Sequence, residues 1–108
     1  MPNVTFFFPV DKMPMEEVIS CLTAESTEHC TGLLKASLDN VHIMYVAVRH
    51  GRGHPAFVEV RYRLENFRTS DVMHAFMEAL DASVLRNTGF TARIRCYGYA
   101  ASVIQARN

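Results

Sequence analysis

Pro2 is the residue whose position most directly suggests chemistry. Methionine aminopeptidases normally remove Met1 when proline follows it, which would leave a secondary amine ahead of the apolar segment 3–8. An amine at the edge of an apolar site can act as a base near neutral pH, because burial and neighbouring cations disfavour its charged form. The alternative is that Pro2 only begins an edge strand.

Metal and cofactor chemistry has weaker support in the sequence. His50 and His54 flank a Gly-Arg-Gly segment, but no cysteine or acidic partner is fixed near them. The three cysteines, Cys21, Cys30 and Cys96, lack metal-ligand spacing, and we expect buried thiols in a reducing cytosol. The sequence therefore predicts a cytoplasmic protein with no metal and no cofactor.

Length and charge limit the classes of protein to consider. The 108 residues suit a single domain spanning 1–108. Basic and acidic residues number 11 each, so the net charge is zero, which disfavours a general nucleic-acid binder. No segment approaches the roughly 20 apolar residues that span a membrane, so we expect no membrane partner. A small neutral chain is also prone to associate into oligomers.

The hydrophobic pattern predicts one strand–helix–strand unit in each half of the chain. The predicted elements are strand 4–8, helix 14–35, strand 41–49, strand 56–64, a helix between Thr69 or Ser70 and Gly89, and strand 91–99. A shift of 54 residues lays Val4 on Val58, which indicates a pseudo-repeat of 2–49 and 56–100.

Each predicted helix carries an apolar stripe at helical spacing. Pro14 suits the first position of the first helix, and Ser26 interrupts its stripe. The stripe consists of Met15, Val18, Ile19, Leu22, Cys30, Leu33 and Leu34 in the first helix and of Val72, Met73, Phe76, Met77, Leu80 and Val84 in the second. On the third strand, Val58, Val60, Tyr62 and Leu64 are expected to share one face.

The element order predicts an α+β fold, βαββαβ, in which two helices cover one face of a four-stranded sheet. The opposite face would carry the alternating charges Glu59, Arg61, Arg63, Arg93 and Arg95. That face is either solvated or, since Phe7, Phe57 and Met44 or Tyr45 would share it, a subunit interface.

These features together resemble the tautomerase superfamily, which includes 4-oxalocrotonate tautomerase and macrophage migration inhibitory factor. The resemblance covers roughly residues 2–103 and depends on the Met-Pro start, the repeat, and the lengths and order of the elements. It implies the tautomerase fold, a homotrimer, and an amino-terminal proline, here Pro2, as the catalytic residue.

The resemblance also implies substrate-binding residues. Lys12 falls where 4-oxalocrotonate tautomerase has a carboxylate-binding arginine. Arg68 resembles the arginine before the second helix of malonate semialdehyde decarboxylases, and Asp39 aligns with the water-positioning aspartate of that branch.

Other residues align with site residues of the superfamily but differ from them in type or are ambiguous. His42 stands where 4-oxalocrotonate tautomerase has a second-strand arginine, and Tyr97 or Tyr99 could act as the last-strand tyrosine contributed by a neighbouring subunit. The long carboxy-terminal tail of the dehalogenases and a second arginine beside Arg68 are missing, which argues against a dehalogenase or a decarboxylase.

The resemblance predicts proton transfer on a small keto or enol acid that bears a carboxylate. The alternative is a non-catalytic ferredoxin-like module that binds a ligand or a protein, since such domains share the βαββαβ order. The enzyme and the binding module differ in what they require of the Pro2 amine: the enzyme needs this amine free and close to Arg68, whereas the binding module does not.

Overall fold

The computed structural model describes all 108 residues and contains four strands and two helices. These are β1 (Asn3–Pro9), α1 (Glu16–Gly32), β2 (His42–Val48), β3 (Ala56–Arg63), α2 (Ser70–Thr88) and β4 (Ala92–Tyr99). Short 3-10 turns lie at Val10–Lys12, Leu38–Asn40 and Ala101–Val103. No helix has the length and apolar character needed to cross a membrane.

The four strands form one sheet in the order β2-β1-β3-β4. β1 runs parallel to β2 and antiparallel to β3, and β3 runs parallel to β4. Alternate residues of β1 and β3, among them Phe6, Phe8 and Val58, are fully buried against the helices. The predicted α+β fold with both helices on one face is confirmed.

The first helix is shorter than predicted. It begins at Glu16 after Met15 as N-cap, so Pro14 lies before the helix instead of in its first turn. Met15 is 73% exposed and Leu33 37% exposed, so these two members of the apolar stripe lie outside the core. Ser26 does not break the stripe: it is fully buried within it, although its hydroxyl has no hydrogen-bond partner.

The second helix has the predicted ends. The Thr69 hydroxyl caps it by accepting a hydrogen bond from the backbone N–H of Val72 at 3.3 Å, and Gly89 ends it in the left-handed region at φ 76°. Most of its predicted stripe is buried. Leu64, by contrast, is 49% exposed, because the chain leaves the sheet after Arg63 and no helix covers this position.

The sheet face turned away from the helices, hereafter the open face, carries an aromatic pair. Phe7 on β1 and Phe57 on β3 stack with ring centroids 5.6 Å apart. Met44 on β2 is 59% exposed on the same face. Tyr45 points to the helices instead, where its hydroxyl lies 2.8 Å from that of Thr23, so Met44 is the residue that extends the apolar patch.

The cysteines differ in exposure. Cys30 is buried and Cys96 half-buried, whereas Cys21 is exposed, contrary to the expectation for all three. Burial raises the pKa of the Cys30 thiol to about 12 and that of Cys96 to about 11. Both thiols therefore stay protonated near neutral pH.

Candidate functional site

A cavity of about 760 Å³ lies on the open face at the end of the sheet where β1 begins. Its floor consists of open-face side chains of the three strands β2, β1 and β3. Further walls come from the first residue, the segment after β3 and the last five residues of the chain. The lining residues used below are Met1, Asn3, Asn40, His42, Glu59, Arg61, Arg63, Glu65, Arg68 and Ile104 to Asn108.

Pro2 is fully buried beside this cavity. Its carbonyl accepts a hydrogen bond from the backbone N–H of His42 at 3.1 Å, which ties the start of β1 to β2. The nitrogen of Pro2 is bonded to Met1, and Met1 lines the cavity. Removal of Met1 would therefore leave the Pro2 nitrogen at the cavity wall.

The terminal amine in this region is electrostatically perturbed. Partial burial lowers the pKa of the Met1 amine, and the positive charges of Arg63 and then Arg68 lower it further. All three influences disfavour an ammonium ion. An amine here is therefore closer to the neutral, proton-accepting form than an ordinary chain terminus.

Arg68 is held by hydrogen bonds that belong to the fold. Its Nε donates to the carbonyl of Leu34 at 3.0 Å, and its Nη1 donates to the carbonyl of Arg63 at 2.7 Å. Its guanidinium also lies 5.3 Å from the centroid of the Phe67 ring. Arg68 joins the segment after α1 to the end of β3, and only part of its planar fork is free for a ligand.

Arg63 was missed as a site residue by the sequence analysis. Its exposed side chain lines the cavity and makes no hydrogen bond or ion pair, unlike that of Arg61, whose Nε donates to Glu59 at 2.9 Å. The alternation of charges along β3 was the available signal. It indicated a solvated or interface position and did not distinguish Arg63 from Arg61.

The other predicted site residues are dispersed. His42 lines the cavity, whereas Asp39 is exposed in the turn before β2 and its neighbour Asn40 lines the cavity instead. Lys12 follows the far end of β1, a strand of seven residues. At about 3.3 Å per residue, Lys12 and Pro2 lie roughly 20 Å or more apart within one chain.

The two tyrosines lie on β4, outside the cavity lining. Tyr97 pairs in register with Arg61 and is 44% exposed. Tyr99 pairs with Arg63, and its hydroxyl accepts a hydrogen bond from Nη1 of Arg61 at 3.1 Å. Within one chain, neither tyrosine lines the wall at which the Pro2 nitrogen would lie.

The histidines of the connecting loop do not form a metal cluster. Nδ1 of His54 lies 3.0 Å from the hydroxyl of Thr91. No group of three or more His, Cys, Asp or Glu side chains in the structure is arranged to hold a metal ion.

Comparisons of sequence find no relative, since neither a family model nor a curated protein matches this chain. Comparisons of structure find many. Macrophage migration inhibitory factor of Toxoplasma gondii superposes with a TM-score of 0.78 at 17% identity, over 97% of this chain and 96% of that one. F6 fused 4-OT, described as an asymmetric trimer, gives 0.80 at 14% identity, over 97% and 92%. Malonate semialdehyde decarboxylase gives 0.75 at 10% identity, over 99% and 92%.

The chain therefore has the tautomerase fold, and the resemblance drawn from the sequence is confirmed at the level of fold.

Proposed function

We propose that this protein is a tautomerase-like enzyme that moves a proton at the carbon next to the carbonyl of a small keto or enol acid. The base is the secondary amine of Pro2, freed by removal of Met1. The observation that carries the proposal is that the amine of Met1, bonded to Pro2 at the wall of a cavity that contains arginines, has a lowered pKa. A base works best when its pKa lies near the working pH.

The carboxylate of the substrate is bound chiefly by Arg63. Its planar guanidinium can form two parallel hydrogen bonds to a carboxylate, and no protein group competes for it. Arg68 supports this arrangement by holding the backbone of Arg63, and its positive charge favours the developing enolate. His42 offers a further polar contact from the cavity floor.

We further propose that the whole chain is one domain of two pseudo-repeats, 2–49 and 56–100, and that three copies assemble. F6 fused 4-OT is described as a trimer. The apolar patch of Phe7, Phe57 and Met44 on the open face suits burial between copies. In such an assembly Lys12, Asp39, Tyr97 or Tyr99 of one copy would complete the site of another.

A second candidate is a binding module without catalysis. As long as Met1 is attached, the nitrogen of Pro2 is an amide and cannot accept a proton. In that case the cavity and its arginines bind a carboxylate ligand without turning it over. The two candidates differ in whether the mature chain begins at Pro2.

The test combines the intact mass of the untagged protein with the tautomerisation of phenylenolpyruvate. We expect a mass that lacks Met1 and an activity that falls about a hundredfold or more in Pro2→Ala. Alanine also permits removal of Met1, so this variant changes the amine and leaves the processing intact. Pro14→Ala, a half-buried proline outside the cavity, is the matched control and keeps full activity. Activity that is indifferent to Pro2, or a retained Met1, would favour the binding module.

A further inference from the structure

The last five residues form a strap over the cavity. After β4 the chain turns at Ala101–Val103, where the backbone N–H of Ile104 donates to the carbonyl of Ala101 at 3.1 Å. Every residue from Ile104 to Asn108, hereafter the strap, then lines the cavity. The strap lines the same cavity as Asn3, His42 and Arg63 of the sheet.

The strap is fastened at one end only. Ile104 is half-buried, whereas the four residues after it are exposed. No backbone hydrogen bond beyond that of Ile104 holds the strap to the rest of the chain. Segments with few buried contacts and solvated backbone groups open at low free-energy cost. The strap can therefore move away from the floor while Ile104 remains in place.

The strap brings a second free guanidinium to the cavity. Arg61 is paired with Glu59, and two donors of Arg68 are bound to backbone carbonyls. Arg107 resembles Arg63 in making no hydrogen bond or ion pair. The lining contains four arginines against two glutamates, Glu59 and Glu65, so the cavity retains an excess of positive side-chain charge.

We propose that the strap determines how tightly anionic substrates are bound, with Arg107 contacting the same ligand carboxylate that Arg63 holds. This inference depends on the proposed function in one respect, namely that the cavity is the substrate site. Arg107 acts in binding and does not touch the proton that is transferred. The strap residues thus contribute to affinity equally in the ground state and in the transition state.

The experiment measures benzoate, an inert planar carboxylate, by isothermal titration calorimetry, and phenylenolpyruvate by steady-state kinetics. The variants are Arg107→Gln, Arg107→Lys and a chain that stops after Val103. Arg52→Gln is the matched control, because Arg52 is an exposed arginine of the loop between β2 and β3, outside the cavity. Thermal midpoints verify that each variant is folded.

We expect Arg107→Gln and the shortened chain to raise both the Kd for benzoate and the KM about tenfold, with kcat unchanged. Arg107→Lys recovers part of the loss, since it keeps the charge without the planar fork. Three results would overturn the inference. The variants could show a Kd for benzoate within about twofold of that of the unmodified protein, or the unmodified protein could fail to bind benzoate. In the kinetics, kcat could fall while KM stays constant. Failure of the proposed function looks different: benzoate binding still depends on Arg107, but turnover does not depend on Pro2.

Discussion

Arg68 allows the fold-stabilising and ligand-binding roles of the arginines to be separated by experiment. Arg68→Met removes both hydrogen bonds that its guanidinium donates, to the carbonyls of Leu34 and Arg63, while roughly preserving the length of the side chain. Arg63→Gln removes a guanidinium that makes no bond within the chain. The first substitution tests the fold, and the second tests ligand binding.

The expected magnitude follows from the two bonds. A hydrogen bond that involves a charged group contributes about 1.5–3 kcal/mol when fully buried. Two such bonds would contribute about 3–6 kcal/mol, and because Arg68 is only half-buried we expect a smaller loss, about 2–3 kcal/mol in total, for Arg68→Met. At about 4–8 °C per kcal/mol for a chain near this size, the thermal midpoint falls by roughly 10 °C or more. Arg63→Gln shifts the free energy of unfolding by less than about 0.5 kcal/mol.

Urea unfolding followed by far-ultraviolet circular dichroism measures both variants against the unmodified protein. Arg68→Lys adds a check, because an ammonium keeps the charge but cannot reproduce the two-pronged geometry, and we expect it to lose at least half as much stability as Arg68→Met. Two results would contradict this division of roles: an Arg68→Met variant as stable as the unmodified protein, or an Arg63→Gln variant that loses as much stability as Arg68→Met.

Three further predictions concern stability. A Cβ at Gly98 would lie 2.6 Å from Cδ2 of Leu64 and 2.8 Å from Cζ of Tyr62, so Gly98→Ala should lower the free energy of unfolding by about 1–3 kcal/mol in a urea titration. The control is Gly32→Ala at the end of α1, where a Cβ meets open space and should not lower the free energy of unfolding. Ser26→Ala removes a buried hydroxyl without a partner, so we expect a gain of about 1 kcal/mol by the same assay, and a loss would show that the hydroxyl is satisfied. Burial, and then the charge of Arg86, lower the pKa of His29 from 6.5 against the opposing influence of Glu25 and Glu28. Below about pH 6.5 the unfolded chain therefore binds more protons at His29 than the folded chain does, so the free energy of unfolding falls as the pH drops from 6.5 to the lowered pKa of His29. We expect His29→Gln to reduce this dependence of the free energy of unfolding on pH, as measured by unfolding curves at several pH values.

The fold could be predicted from local signals that agree with one another. Thr69 and Gly89 mark the ends of α2 because a hydroxyl and a left-handed residue satisfy backbone groups that any helix leaves unpaired. The start of α1 was placed too early, since Pro14 is favourable at a first helical position but is equally compatible with the extended segment before it. Ser26 was taken as an interruption of the stripe because sequence periodicity does not show that a small polar residue can be buried between larger ones.

The site was less accessible to sequence reasoning because it is assembled by long-range packing. In the alternating pattern of the strand, Arg61 and Arg63 occupy equivalent positions. In the structure the guanidinium of Arg61 is bonded to Glu59 and Tyr99, whereas that of Arg63 is free. The strap has no periodicity and no motif, so nothing in the sequence indicated that Arg107 lines the cavity. Arg68 was selected through the resemblance, and the structure shows how much of its guanidinium the fold itself uses.

The central claim is a free Pro2 amine with a lowered pKa, and the most direct measurement is an NMR titration of that amine in protein labelled with ¹⁵N at proline. Since burial and the charges of Arg63 and Arg68 lower the pKa of the Met1 amine at this wall, we expect the same influences to act on a free Pro2 amine. We predict that its pKa lies below that of the same amine in the urea-unfolded protein and rises when Arg63→Gln removes a neighbouring charge. A chain that retains Met1, or a Pro2 amine whose pKa is the same folded and unfolded, would contradict it.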